Sequence, residues 1–335
     1  MSETLNTKYN YVFYNVGEDY LEPVFAPLNV YSEVQTYVHA FNSNKIIDRI
    51  FFYHWSGKIN SRINLPFKHI WFRKMFQKNF DNNKPICYVF YMAKYIGNDF
   101  SIYEYIKSLN QKNQVVIYFG DLISKIGYDI PKLKECSDYI FTYDEVEAEK
   151  YNIIYAADSF GYGNIVDVST PTHFENDVYF VGFAKDRLFD IHSVYNYLTK
   201  NGLKCKFVVC GTKPEERIDG KGLIYSKPIS YRENIQNVCN SKCILDIIQG
   251  QSVGVTLRVK EAIAYKRKLL SNNIQLKNYN MFCDDYMSVF DVPENIDIDF
   301  LKSDIIFDSI KTGDDFGPEK IIKYFENFLS GGING

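Results

Sequence analysis

What most constrains this chain is a rhythm. Short, continuously apolar runs recur between stretches whose apolar residues fall at helical spacing. Tyr11-Val-Phe-Tyr-Asn15, closed by Gly17, reads as a first buried strand. Ile46 to His54 reads as a second. Ile86-Cys-Tyr-Val-Phe-Tyr91, Val115-Val-Ile-Tyr-Phe119 and Tyr139-Ile-Phe-Thr142 follow, rich in β-branched and aromatic residues. Between them, Ser101 to Asn110 brings Ile102, Tyr105, Ile106 and Leu109 to one helical face, and Pro131 to Cys136 is helix-like. Strands that are apolar throughout and separated by helices imply a parallel sheet covered on both faces. The pattern breaks at Val168-Ser-Thr-Pro-Thr-His-Phe-Glu-Asn176, which reads as a linker, and then restarts. Val178-Tyr-Phe-Val-Gly182, Phe207-Val-Val-Cys210, Cys243-Ile-Leu-Asp-Ile-Ile248 and Lys268-Leu-Leu-Ser271 read as strands. Leu188 to Leu198, Ser230 to Val238 and Leu257 to Tyr265 read as the helices between them. The expectation is an α/β chain of two domains, residues 1–170 and 178–315. A terminal helix from Pro318 to Leu329 would pack back on the first. Sheets of this kind bind ligands outside the carboxyl ends of their strands, and two facing sheets enclose a cleft.

Composition narrows the function. The chain has 335 residues, a net charge of -3 and a pI near 6.0. That balance argues against a generic nucleic-acid binder. No apolar run approaches the ~20 residues of a membrane-spanning helix, and Met1 to Lys8 does not read as a signal peptide. Seven cysteines, odd in number and scattered, read as thiols in a reducing compartment, so a cytoplasmic location is expected. Cys239 and Cys243 lack the partners of a zinc set, and no metal is expected.

Two catalytic motifs can be set aside. No G-x-x-x-x-G-K-[ST] loop is present, which removes P-loop chemistry. Gly250-Gln-Ser252-Val-Gly254 matches the nucleophile elbow of an α/β-hydrolase. That fold places an acid and then a histidine after the serine, and His39, His54, His69, His173 and His192 all precede it.

The same glycines belong to a longer stretch, Leu245 to Ala264, in which a glycine turn leads into a helix that Thr256 would cap. Backbone amides at such a helix start attract phosphate. Arg258 and Glu261, three apart, share a face, and Val259, Ala262 and Ile263 form the opposite, buried one. This suits a nucleotide: amides and guanidinium take the diphosphate, the carboxylate takes ribose hydroxyls. The bland reading is a surface ion pair.

This stretch resembles the donor-binding region of GT-B glycosyltransferases, and within them those of bacterial capsular, exopolysaccharide and lipopolysaccharide biosynthesis. The likeness is carried by Leu245-Asp246-Ile247, Gln251, Gly254-Val-Thr256-Leu-Arg258, Glu261-Ala262 and Arg267-Lys-Leu-Leu270 running to Asn272. Val181-Gly182-Phe-Ala-Lys185-Asp-Arg187 is similar to the element that opens the second domain in that group. Tyr143-Asp144-Glu-Val-Glu147-Ala-Glu-Lys-Tyr151 is similar to an aromatic-Asp-x-x-Asp-x-x-x-Tyr element, with Glu147 replacing Asp. The resemblance spans roughly residues 110–290. It implies two Rossmann-like domains facing across a cleft. It also implies a nucleotide-sugar donor, UDP-linked by analogy, held by Gly182, Lys185, Arg187, Gln251, Gly254, Thr256, Arg258 and Glu261. The acceptor implied is a growing glycan or lipid-linked oligosaccharide, and no cofactor is called for. One departure stands out: the retaining enzymes commonly carry a glutamate where Gln251 lies, and Glu261 falls two residues late for its partner. The stereochemical outcome is therefore open.

Asp297-Ile-Asp299 is the one Asp-x-Asp in the chain, too far along to be the metal motif of a GT-A enzyme. Lys185, Arg187 and Arg258 would stabilise the departing diphosphate in place of a metal. An inverting enzyme needs a base at the strand ends of the first domain, for which Glu18, Asp19, His54 and Asp121 are candidates. Pro66 to Phe80 mixes Phe67, Ile70, Trp71, Phe72, Met75, Phe76 and Phe80 with Lys68, Arg73, Lys74 and Lys78. As one helix it would align Phe67, Trp71 and Met75 and could lie in the headgroup region on the inner face of the cell membrane. The competing readings are a GT-B-fold nucleotide-sugar epimerase and a non-catalytic nucleotide- or sugar-binding module, in which the basic set should be lost.

Overall fold

A computed structural model describes residues 4–14, 21–37, 45–56, 59, 63, 65–92, 100–156, 173–248, 255–305 and 318–330. The chain divides into two units, Met1–Gly163 with Phe316–Gly335, and Asn164–Asp315.

The first unit is built on a six-stranded parallel sheet in the order β2-β1-β3-β4-β5-β6. Its strands are β1 (Asn10–Tyr14), β2 (Val34–Tyr37), β3 (Ile86–Tyr91), β4 (Gln114–Phe119), β5 (Tyr139–Thr142) and β6 (Ile154–Tyr155). The aromatic residues of these runs form the core. Tyr14 stands between Tyr37 and Phe90 in the register of β1 with β2 and β3, its ring stacked on both. Phe76 meets it edge-on, and Ile102 and Ile106 of helix Phe100–Leu109 close that face. On the other face lies helix Pro318–Leu329. Phe325 packs on Tyr11 and Phe141, at 6.4 and 4.9 Å between ring centroids. Glu326 accepts the Lys8 and Tyr9 amides and the Tyr11 hydroxyl.

Two sequence expectations for this unit fail. The second strand is Val34–Tyr37, and the Ile46 to His54 run is a helix, Lys45–His54. Asp48 and Arg49 are the only charged residues between Ile46 and Tyr53, so the run reads as nearly continuous apolar sequence, although Ile46, Ile50 and Tyr53 are exposed while Phe51 is buried. Nor is Pro66 to Phe80 one helix. A 3-10 turn, Lys68–Trp71, runs into a short helix, Phe72–Phe76. Trp71, Phe72, Met75 and Phe76 sink into the core, and only Phe67 and Ile70 stay exposed, which splits the expected apolar row.

The second unit carries its own six-stranded parallel sheet, ordered β12-β11-β10-β7-β8-β9. The strands are β7 (Asn176–Phe183), β8 (Cys205–Cys210), β9 (Leu223–Ser226), β10 (Ser241–Asp246), β11 (Lys268–Ser271) and β12 (Met287–Val289). Its core is mostly aliphatic. Ile191, Val194, Tyr195 and Leu198 of helix Leu188–Lys200 pack down as their spacing predicts. From β7 the chain adds β8 and β9 on one side, then crosses to add β10, β11 and β12 on the other. The order therefore reverses between β7 and β10, and a crevice opens there at the carboxyl ends of the strands.

Candidate functional site

The reversal point between β7 and β10 gathers most of the described residues expected at the donor site. β7 ends at Gly182 and Phe183, and the 3-10 turn Lys185–Arg187 follows. Arg187 folds back over the strand end. Its Nε donates to the Phe183 carbonyl at 3.2 Å, and its Nη1 donates to the carbonyl of Ile247, just past β10. Gly182 makes this possible: a Cβ there would lie 2.7 Å from Arg187 Nη2. The guanidinium also lies over the Phe180 ring, and burial lowers its pKa. Lys185 is exposed and sits at φ 44, in the left-handed region that a side chain disfavours.

Arg258 approaches from the other side, on helix Leu257–Ala264. Its Nε and Nη2 donate to the Val181 carbonyl of β7 at 3.4 and 3.3 Å, and its Nη1 pairs with Glu261 at 2.7 Å. A guanidinium has five N–H groups. Among the described residues Arg258 leaves one on each terminal nitrogen without a protein acceptor, and Arg187 leaves one on Nη1 and two on Nη2.

Asp246 lies between the two arginines at the end of β10. It accepts the Thr256 hydroxyl at 3.0 Å and the Ser271 hydroxyl at 2.8 Å. Burial raises its pKa, against those two hydroxyls and the charges of Arg258 and Arg187. Thr256 does occupy the N-cap of helix Leu257–Ala264, but its side chain makes no capping bond and its hydroxyl instead donates to Asp246. The first amides of the helix are left without that cap.

Glu261 departs from the sequence reading. It is 0% exposed, against 22% for the Arg258 side chain, so it belongs to the buried face of the helix with Val259, Ala262 and Ile263. Its second oxygen accepts Asn234 Nδ2 at 2.8 Å. Burial pushes its carboxyl above the usual range, with Arg258, Asn234 and Tyr231 pulling the other way. Both oxygens of this carboxylate are thus engaged by protein donors. Gln251 and Gly254 lie outside the described residues, as do Glu18 and Asp19.

The remaining base candidates separate. His54 ends helix Lys45–His54 rather than following a strand, and both ring nitrogens are engaged: Nδ1 accepts Trp71 Nε1–H at 2.9 Å and Nε2 meets the Pro66 carbonyl at 2.7 Å. Asp121 is exposed just past β4, where one oxygen accepts the amide of Leu122. Glu147, quoted for its place in a motif, has a structural task. Its carboxylate accepts the amides of Ile123 and Ser124, while Asp144 caps its own helix.

No protein-family model matches the chain, and no curated protein does. Among solved structures it is similar to a glycosyltransferase from Rickettsia africae, at 9% identity over 99% of this chain and 100% of that one, TM-score 0.49. It is also similar to the catalytic domain of starch synthase IV from Arabidopsis thaliana bound to ADP and acarbose, at 8% identity over 87% and 78%, TM-score 0.48. A third is a DNA-modifying β-glucosyltransferase, at 13% identity over 77% and 82%, TM-score 0.43. The chemistry of this chain is therefore read from its own residues.

Proposed function

We propose that the chain is a glycosyltransferase that moves a sugar from a nucleoside diphosphate, UDP by analogy, to a growing bacterial surface glycan. The observation that carries this reading is the pair of guanidiniums at the reversal point. Arg187 and Arg258 are anchored on the backbone carbonyls of β7 and of the end of β10, and both keep N–H groups for an anion. Two fixed cations suit a diphosphate that gains charge as it leaves. In the reaction the bond from the anomeric carbon to the diphosphate oxygen breaks, and one to the acceptor oxygen forms. The diphosphate keeps the electron pair and the acceptor hydroxyl gives up its proton. Lys185 and the uncapped amides of helix Leu257–Ala264 add to the same field. No metal is required in this scheme. If the enzyme inverts, we take Asp121, exposed just past β4, as the proposed base.

The acceptor is read as a glycan or lipid-linked oligosaccharide, and nucleic acid as no partner. Among the described residues no helix is long and apolar enough to cross a membrane. Exposed Ile46, Ile50 and Tyr53 line one stripe of helix Lys45–His54, and Phe67 and Ile70 are exposed beside Arg73 and Lys74. Such a surface suits work at the cytoplasmic face of a membrane.

The test is a thermal-shift screen of UDP, GDP, CDP and dTDP, then nucleotide release from the matching sugar donors with and without a lipid-linked acceptor. Acceptor-dependent release is expected. Release of free nucleotide with no sugar transferred would favour the epimerase. Binding without release would favour a binding module.

A further inference from the structure

The Arg258–Glu261 pair is one link of a closed buried circuit. Tyr179, on β7, donates its hydroxyl to Asn234 Oδ1 at 3.1 Å. Asn234, on helix Tyr231–Cys239, donates Nδ2 to Glu261 at 2.8 Å. Glu261 holds Arg258 at 2.7 Å, and Arg258 returns to β7 on the Val181 carbonyl. Tyr179, Asn234 and Glu261 are all buried. The polarity is fixed at every step. An ionised carboxylate only accepts, so the Asn234 amide must present its NH2 to Glu261 and its oxygen to Tyr179. An aspartate at 234 would face one carboxylate with another. A surface ion pair of this spacing would wander; this one is tied to the central strand at both ends.

We infer that Asn234 and Glu261 are positioning residues that aim the Arg258 guanidinium along the end of β7, and that neither touches the donor. This rests on the reading that Arg258 binds the diphosphate. The alternative is that Glu261 meets the ribose itself.

The experiment measures affinity for the tightest-binding of UDP, GDP, CDP and dTDP by calorimetry on the full chain. The proteins are wild type, Arg258→Ala, Glu261→Gln, Asn234→Ala and the Arg258→Ala/Glu261→Gln double variant. Glu261→Gln keeps the size of the side chain, and its amide can bond a flipped Asn234, so the fold survives while the charge pair is lost. Arg258→Ala is expected to weaken binding about a hundredfold and Glu261→Gln about tenfold. The double variant should bind no more weakly than Arg258→Ala alone, since Glu261 acts only through the arginine. Losses that multiply in the double variant would show Glu261 acting on the donor directly and overturn the inference. So would wild-type affinity in both Glu261→Gln and Asn234→Ala when Arg258→Ala is impaired. If Arg258→Ala itself binds like wild type, the donor-site reading fails instead.

Discussion

The two sheets share an architecture and differ in what they put at the same topological place. Each is six-stranded and parallel, and each reverses strand order beside its first strand: between β1 and β3 in the first unit, between β7 and β10 in the second. In the first unit the strand ends carry rings. Tyr14, Tyr37 and Phe90 stack together, and the cation among them, Lys78, lies over Tyr37 at 3.7 Å to the ring centroid, its pKa pulled down to about 8 by burial. In the second unit the strand ends carry two guanidiniums, each fastened to backbone carbonyls. A parallel sheet supplies a crevice as a matter of topology. Among the described residues, the side chains at that place are packed core rings in one sheet and guanidiniums with spare N–H groups in the other.

The contrast can be broken in several ways. The largest effect belongs to the aromatic unit. Phe325→Ala removes a fully buried ring from between Tyr11 and Phe141, and should cost the first unit about 3–5 kcal/mol in a urea titration. A loss under about 1 kcal/mol would mean that helix Pro318–Leu329 is held by something other than that ring.

Next comes the charge asymmetry. Arg258→Ala should lower transfer about a hundredfold, ~3 kcal/mol at the transition state, and Arg187→Ala by less. Lys78→Met, made in the other unit, should leave nucleotide affinity unchanged. Steady-state kinetics showing the reverse order would remove the distinction between the two sheets.

A smaller effect sharpens it. Gly182→Ala should displace the Arg187 guanidinium and raise the donor KM about tenfold, ~1.4 kcal/mol, with kcat less affected. An unchanged KM would show that the seat of Arg187 is irrelevant to the donor. The smallest is Lys185→Gly. It relieves a left-handed backbone at a cost in chain entropy, so the thermal midpoint should rise by the equivalent of about 0.5 kcal/mol while transfer falls modestly. A drop in the midpoint would mean the φ of 44 is not under strain.

Much of this architecture is legible in the sequence. Fully buried parallel strands announce themselves as unbroken apolar runs, and most of the long ones fell where expected. β2 did not, because Val34-Gln-Thr-Tyr37 has no such run. Helix Lys45–His54 imitates a strand because Ile46, Ile50 and Tyr53 are apolar although exposed. At the site, Arg187 is legible as a cation following a strand end and Arg258 as one at a helix start. Asn234 and Tyr179 are not, since hydrogen bonding across 55 and 27 residues of sequence leaves no local pattern. Glu261 was misplaced for a simple reason: i,i+3 spacing says that two side chains are neighbours, and it does not say which of them is under the other.

One feature of the fold bears on how the molecule is made. The second unit interrupts the first in sequence, with residues 164–315 lying between the strands of the first sheet and the helix that covers it. During synthesis β1 to β6 are complete long before Pro318–Leu329 exists, and the Tyr11 and Phe141 rings wait uncovered while the whole second unit is translated. At about 5–20 residues per second that delay lasts on the order of ten seconds or more. The nascent chain must therefore carry an open aromatic surface past its neighbours. Docking of helix Pro318–Leu329 is then the step that completes the core of the first unit.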